Sequence, residues 1–514
     1  MTQAKARAKP NRPLDLNPEH AGRAGREPYA IVDIGSNSVR LVVYDQLGRA
    51  PLPRFNEKSL CRLGDGLAQT GAIAAEGFRR TVEATRRFRA IVDAMGVKRV
   101  DVTATEAMRR ASNGRALAEA IKENSGFSVR ILTGVEEARY ASLGVISGFF
   151  RPVGLVGDMG GGSLEVGEAL DDRVGDNTVS LPLGALPVEA MLAEGEAVAK
   201  KRIDEMLSKG LPPAVAKPVF FAVGGGWRAL AKAQLAATNS PVQVVHGHTM
   251  ETGAARAFAK RILRAPPAKL AAMAGVSERR VRTLPAAAMM LDRVLKRLAP
   301  ERLVFSALGL REGYIYSQLT AEEQYLDPLV EGAQLFGLPV ARVPDFPSAL
   351  VAWTQSLFPG ETPAEKRLRV AVCALSDTAW RDHPDLRAES SFHQLLQFPF
   401  IGLEHRERAF IAAAIHARYV GKDDAPYFGP VAALLSPAAR RRAQILGRAI
   451  LLGYRLAGGA PKVLADSRLT VETHRLVLEV GKVGGAPDSE VVAERMNLLK
   501  AAIGARKAEI VERR

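Results

Sequence analysis

Two short stretches, Asp33-Ile34-Gly35-Ser36-Asn37-Ser38 and Asp158-Met159-Gly160-Gly161-Gly162-Ser163, repeat one pattern in this chain. Apolar residues precede each (29–32 and 155–156), and strand-like residues follow each (39–44 and 164–166). The shared form is strand, Asp-x-Gly-x-x-Ser turn, strand. Glycines and a serine in such a turn let backbone N–H groups gather round an anion, a concavity that suits phosphate. An aspartate at the strand end suits a hydrated divalent cation, because hard cations prefer carboxylate oxygen and water. Taken alone, an Asp-x-Gly-x-x-Ser is an ordinary tight turn. Two copies predict duplicated half-domains that hold a phosphorylated substrate between them.

The alternation extends outward from these turns. A strand-like run at 29–32, another at 39–44, a helical pattern over 76–95 and a strand at 99–104 lead into Thr105-Glu106-Ala107-Met108-Arg109. A second βα series begins at Val129-Arg130-Ile131-Leu132 and runs to about residue 226, and an amphipathic helix is predicted over 288–298, ended by Pro300. Such alternation predicts α/β domains. Beyond about residue 320, Ala-, Leu- and Arg-rich segments such as 410–420 and 438–455 predict a mostly helical domain with few strands before 468–480. The expected organisation is a disordered basic tail over 1–28, α/β domains over 29–140 and 141–320, and a helical domain over 321–514.

Bulk properties narrow the partners. The chain has 514 residues, 47% hydrophobic and 25% charged, which is enough for two to four domains with ample cores. No stretch approaches the roughly eighteen continuous apolar residues of a membrane span, so a membrane partner is not expected. The two cysteines, Cys61 and Cys373, exclude a disulfide framework and fit a reducing compartment, so the expected location is the cytoplasm. The net charge of +16 raises the local concentration of polyanions. Charge alone admits nucleic acid, an acidic membrane surface or inorganic polyphosphate, and it equally serves solubility.

Five motifs in register identify a resemblance. Asp33-Ile-Gly-Ser-Asn-Ser38 is followed by Thr105-x-x-x-Arg109 with Ala111-Ser-Asn113, then Gly134-x-Glu136-Glu137-Ala138-Arg139. Asp158-Met-Gly-Gly-Gly-Ser163-x-Glu165 and Gly309-Leu-Arg311-Glu312-Gly313 complete the set. In this order, over roughly residues 29–316, the chain resembles the exopolyphosphatase / guanosine pentaphosphate phosphatase family of the actin-like and sugar-kinase-like ATPase superfamily. The resemblance implies two actin-like (ribonuclease H-like) domains followed by a degenerate HD-like helical domain. It implies phosphate binding by Gly35, Ser36, Asn37 and Ser38 from one wall and Gly160, Gly161, Gly162 and Ser163 from the other. Asp33 and Asp158 would hold Mg²⁺ through water, with Glu165, two residues past Ser163 and therefore on the same strand face, joining them. Mn²⁺ and a monovalent activator such as K⁺ are also compatible. Glu137 would be the general base and Arg109 a guanidinium clamp on phosphate oxygens. Without the resemblance, Glu136 and Glu137 read as acids opening a helix, Arg109–Arg110 as a solvated pair, and Arg311-Glu312-Gly313 as an ion pair and turn.

The implied activity is Mg-assisted release of orthophosphate from the end of inorganic polyphosphate. Alternatives are removal of the 5′-terminal phosphate of guanosine pentaphosphate in the stringent response, a non-catalytic polyanion-binding regulator, and a kinase or ATPase of the superfamily. No specific nucleic-acid partner is expected, and the family implies a homodimer. Three places depart from the pattern. Val223-Gly-Gly-Gly226-Trp227 carries Trp227 where the superfamily's adenosine loop has a small residue; it either obstructs a base, stacks on one, or simply follows a glycine turn. His246-Gly247-His248 has the look of a metal pair but lacks a third nearby ligand. In the C-terminal domain, Ser376-Asp377 stands where an HD pair is expected, and His383, His393, His405 and His416 do not restore the ligand order. Arg441, Arg448 and Arg455, seven apart, line one helix stripe, read either as a solvated face or as a basic track for a polyanion.

Overall fold

Strand β1 (Tyr29–Ile34) is buried along its length, with Ala30, Val32 and Ile34 in one core cluster and Tyr29 and Ile31 in another. An apolar run of this kind, buried on both faces, belongs at the centre of a sheet covered on both sides. β1 pairs antiparallel with β2 (Val39–Tyr44), which pairs with β3 (Pro53–Ser59); on its other edge it pairs in parallel with β4 (Arg99–Ala104), followed by β5 (Val129–Ile131). The sheet order is β3-β2-β1-β4-β5.

The second half repeats this arrangement. β6 (Val153–Met159) forms a hairpin with β7 (Leu164–Leu170), and β7 also pairs with β8 (Arg173–Val174) and β9 (Val179–Leu181). On its other edge β6 runs parallel to β10 (Val219–Val223), and β10 to β12 (Arg302–Phe305), with β11 (Thr249–Glu251) antiparallel at the margin. Central strand, antiparallel hairpin, then parallel strands is the plan of both sheets, as the paired turns predict.

Two helices, Gly134–Gly148 and Leu310–Ser317, serve both sheets. Tyr140, Tyr314 and Ile315 pack with Tyr29 and Ile31 of the first sheet, while Ala141, Val145, Ile146 and Tyr316 pack with Val156, Phe221 and Val304 of the second. They cross very closely: a Cβ on Gly313 would fall 1.8 Å from the Tyr140 carbonyl oxygen, and one on Gly144 would fall 2.2 Å from that of Gly309. The division expected between 140 and 141 therefore falls inside a helix that is common to both halves.

The computed structural model describes residues 14–17, 27–211, 217–273, 275–276, 278–484 and 489–513. They form two units, Gly25–Gln324 and Tyr325–Arg514, the second including residues 14–17. Of the expected disordered tail, residues 1–13 and 18–26 lie outside the described residues. Residues 14–17 are tied down: the Asn17 N–H donates to Gln334 Oε1 at 2.6 Å, and the Leu16 carbonyl accepts from the Ser348 hydroxyl at 3.4 Å. The second unit is mainly helical, with the Pro437–Ala457 helix packed against His405–Arg418 and Glu490–Ile503. It also holds a three-stranded sheet of β13 (Ser467–Glu472), β14 (Arg475–Val480) and β15 (Lys507–Glu512). A fully buried pair, Arg367 Nε to Asp327 Oδ2 at 2.7 Å, lies inside it. Among the described residues, no helix is long and apolar enough to cross a membrane.

Candidate functional site

Both Asp-x-Gly turns close with the same bond. The Gly35 N–H donates to the Ser38 carbonyl at 3.0 Å, and the Gly160 N–H to that of Ser163 at 2.9 Å. Further carbonyls of each turn accept from neighbouring segments. Ser36 and Asn37 accept from the N–H groups of Gly64 and Arg62, and Gly160, Gly161 and Gly162 accept from those of Ala185, Leu186 and Gly184. With the oxygens engaged, the polarity left on the exposed side of each turn is its amide N–H, and this favours an anion. The turns also meet, since a Cβ on Gly161 would lie 3.0 Å from Ser36 Cβ.

Between them is a cavity of about 510 Å³, lined by both turns and by Asp33, Glu137, Asp158 and Glu165. Strand register explains this convergence. Asp33 faces Arg40 across the first hairpin, and Arg40 faces Lys58 on β3; Asp158 faces Glu165 across the second, and Glu165 faces Ser180 on β9. Each sheet therefore sends one cross-strand row of polar side chains into the cavity, and the Ser180 hydroxyl steadies Glu165 at 2.9 Å.

Glu137 sits in the first turn of the Gly134–Gly148 helix, whose capping box of Thr133 and Glu136 fixes the helix start. Burial pushes its carboxyl up to about 7, against the Arg109 guanidinium and with the push of Asp158 and Asp33. Burial likewise raises Asp158 to about 6, opposed by Arg228, and raises Asp33, opposed by Arg311. Glu165 is raised well above the usual carboxylate range by burial and then by Glu137. Among the described residues, no three Asp, Glu, His or Cys side chains close round a metal-sized space. A cation held wholly by protein ligands does not fit here. A hydrated Mg²⁺, which keeps most of its water and needs only one or two carboxylates, fits half-buried Asp33 and Asp158, the first of which makes the second harder to ionise.

The cavity also carries cations that the motifs do not single out. Arg40, Lys58, Arg228 and Arg280 line the same cavity. Burial lowers each of them, Arg40 to about 10 and Lys58 to about 8, and the neighbouring cations push Arg40, Lys58 and Arg228 further down. Arg40 had a legible signal: it stands two residues beyond Ser38, the offset at which Glu165 follows Ser163. Arg311 and Glu312, read as structural, also line the cavity, with Arg311 Nε 3.9 Å from Asp33 Oδ2.

Several expected roles come out differently. Arg109 does not reach the cavity lining; its guanidinium is spent on the Leu132 carbonyl at 2.5 Å and on the Glu137 carboxylate. The Ser36 hydroxyl donates to buried Glu106 at 3.1 Å, leaving its backbone N–H for an anion. Trp227 is fully buried against Phe220, with its indole N–H on the Ala287 carbonyl at 3.0 Å, so it neither blocks nor stacks on anything in the cavity. His246 bonds the Gly148 carbonyl at 2.8 Å and His248 stacks on Phe305, which makes the pair structural.

In the second unit, Asp377 is clasped by Arg342 through two bonds of 2.8 Å, with Arg418 at 3.7 Å, so guanidinium groups stand beside the carboxylate of the Ser-Asp pair. The expected stripe is not a free track. Arg441 bonds the Ala502 and Ile503 carbonyls, capping the end of the Glu490–Ile503 helix, and Arg448 bonds the Leu498 carbonyl further back along it; Arg455 alone is exposed without such a bond.

Comparisons with known proteins find relatives for both parts of the chain. The family model "Ppx/GppA phosphatase family" matches residues 42–322, and "Exopolyphosphatase, C-terminal" matches 329–511. Exopolyphosphatase 1 of Mycobacterium tuberculosis (strain H37Rv) is 27% identical over 306 residues, which is 57% of this chain and 88% of that protein. Retrograde regulation protein 2 of Saccharomyces cerevisiae is 26% identical over 435 residues, covering 76% of this chain and 72% of that protein. The crystal structure of the Aquifex aeolicus member of the Ppx/GppA family superposes with a TM-score of 0.50 at 26% identity, over 57% of this chain and 97% of that one.

Proposed function

From membership of the Ppx/GppA phosphatase family, to which this chain belongs, we propose that it is an exopolyphosphatase. Inorganic polyphosphate of n units plus water gives a chain of n−1 units plus orthophosphate. The observation that carries this reading is Glu137, buried in the wall of the cavity where both turns converge, with its carboxyl raised to about 7. A general base works best with a pKa near the working pH.

Phosphoryl transfer asks a protein chiefly for positioning and charge neutralisation. The amides of the two turns hold the oxygens of the terminal phosphoryl group. Glu137 takes the proton of the attacking water as the bond to the bridging oxygen breaks. Arg109 acts as a positioning residue that keeps this carboxylate aimed and ionised. Asp33 and Asp158 would hold a hydrated Mg²⁺, with Glu165 across the strand pair from Asp158 positioning its water, and when bound it would neutralise charge on the phosphoryl oxygens. Arg40, Lys58, Arg228 and Arg280 hold the phosphates behind the reacting one. The Gly224–Gly226 turn supports an inorganic chain over a nucleotide, because an Arg280 side chain abuts Gly225 there and Trp227 is buried in the core.

The test is side-by-side kinetics on long-chain polyphosphate, guanosine pentaphosphate and ATP with Mg²⁺. Polyphosphate turnover is expected to be fastest, and Glu137→Gln to lower kcat by about 10²–10⁴. Faster turnover of guanosine pentaphosphate would reassign the substrate; a Glu137→Gln variant at the wild-type rate would remove the base from this role. The same reading carries a homodimer, which sedimentation of the purified chain checks.

A further inference from the structure

A second basic cavity lies away from the catalytic one, among three helices of the Gly25–Gln324 unit. It encloses about 380 Å³ and is lined by Lys200 from the Glu196–Gly210 helix, Arg256, Lys260 and Arg264 from the Thr252–Leu263 helix and its end, and Arg293 and Lys296 from the Leu284–Leu298 helix. Arg256, Lys260 and Arg264 are spaced four apart, so they share one helix face.

Its floor is built rather than incidental. Asp292, only 1% exposed, receives Arg256 Nε at 2.9 Å and Arg293 Nη1 at 3.2 Å, while Arg293 Nη2 reaches Asp204 at 2.6 Å. Buried Asp292 thus holds two guanidinium groups in place beneath the rim, with half-buried Asp204 sharing Arg293. Lys200 pairs with Glu196 and Lys296 comes within 3.9 Å of Asp204, but among the described residues no carboxylate pairs with Lys260 or Arg264. The cavity keeps an excess of positive charge with two free cations at its edge.

The lining contains no aromatic ring. Single-stranded nucleic acid is bound by combining a basic groove with aromatic platforms on which bases stack, and here only the first half of that pair is present. The geometry points to a second binding site, for a linear phosphate chain without bases, held by Lys260, Arg264 and Lys296 over the Asp292-anchored floor. It rests on the exopolyphosphatase reading only for the identity of the chain. The Leu284–Leu298 helix starts next to Thr283 in the catalytic cavity lining, and a rise of 1.5 Å per residue puts Lys296 roughly 18 Å further along its axis. A long polyphosphate can engage both places, and the second contact then acts at high effective concentration. A chain of three phosphates cannot.

The experiment compares wild type with the double substitution Lys260→Gln, Arg264→Gln, both at exposed positions. KM for long-chain polyphosphate is expected to rise about 5–20-fold through lost avidity, with kcat and all tripolyphosphate kinetics unchanged. The slope of log affinity for long-chain polyphosphate against log salt should fall by about one to two. The charge-preserving pair Lys260→Arg, Arg264→Lys should restore wild-type values, which a packing role would not. Wild-type KM and salt slope in the double variant would overturn the site, as would an equal rise in KM for tripolyphosphate. Loss of binding to a single-stranded oligonucleotide alone would overturn it too. If wild type hydrolyses no polyphosphate, the catalytic reading fails, while the binding slopes still decide this one.

Discussion

The Glu137–Arg109 pair sets a pH dependence whose sign follows from its parts. The base must be ionised to accept a proton, and burial holds its carboxyl at about 7, so kcat/KM should rise with pH towards neutrality and level off above it. Arg109 pulls that value down. Arg109→Gln should therefore move the acid limb to higher pH and cost more rate at pH 6 than at pH 8.5. A pH–rate profile measures this, and an unmoved limb would remove Arg109 as the group that keeps the base ionised. At this scale the sequence located the groups better than their partners. Glu137 was legible from the Glu-Glu-Ala-Arg segment, and Glu165 from strand parity. Arg40 opposite Asp33 is legible from the hairpin, whereas Lys58 opposite Arg40 depends on how β2 registers with β3, which periodicity alone does not encode. Arg109, which the resemblance implies as a phosphate clamp, bonds the Leu132 carbonyl and Glu137, because a side chain's partner depends on the loop it folds against.

Two crossing helices carry the base and the Arg311–Glu312 pair, and glycines at the crossing let their backbones meet. Gly313→Ala would place a methyl 1.8 Å from the Tyr140 carbonyl oxygen, so one helix must shift. Overpacking of this kind costs about 1–3 kcal/mol, and each kcal/mol lowers Tm by about 2–4 °C in domains of this size. Calorimetry should show that loss and kinetics a lower kcat, because Glu137 rides on the helix that moves; wild-type values for both would show that the crossing does not position the base. Arg441 and Arg448 illustrate the opposite case. Their seven-residue spacing gives one face of a helix, yet that face is turned to the Glu490–Ile503 helix, where Arg441 satisfies a last-turn carbonyl and Arg448 bonds that of Leu498. Spacing defines a face; only packing says what covers it.

For the whole molecule, a charge of +16 together with cations in both basic cavities ties substrate capture to ionic strength. KM for long-chain polyphosphate should climb steeply between about 50 and 200 mM salt, while kcat changes little. A salt-independent KM would mean that the excess charge serves solubility alone. The amino-acid sequence by itself determined the duplicated α/β plan, the turns that suit phosphate and the helical character of the C-terminal unit, since apolar periodicity, glycine placement and local caps are properties of neighbouring residues. Tertiary structure alone decided that one helix pair serves both sheets, and which charged side chains line the cavity between the turns and which cap or brace the fold. Those outcomes depend on contacts between residues far apart in the chain, where burial and pairing, rather than residue type, set what a charge can do.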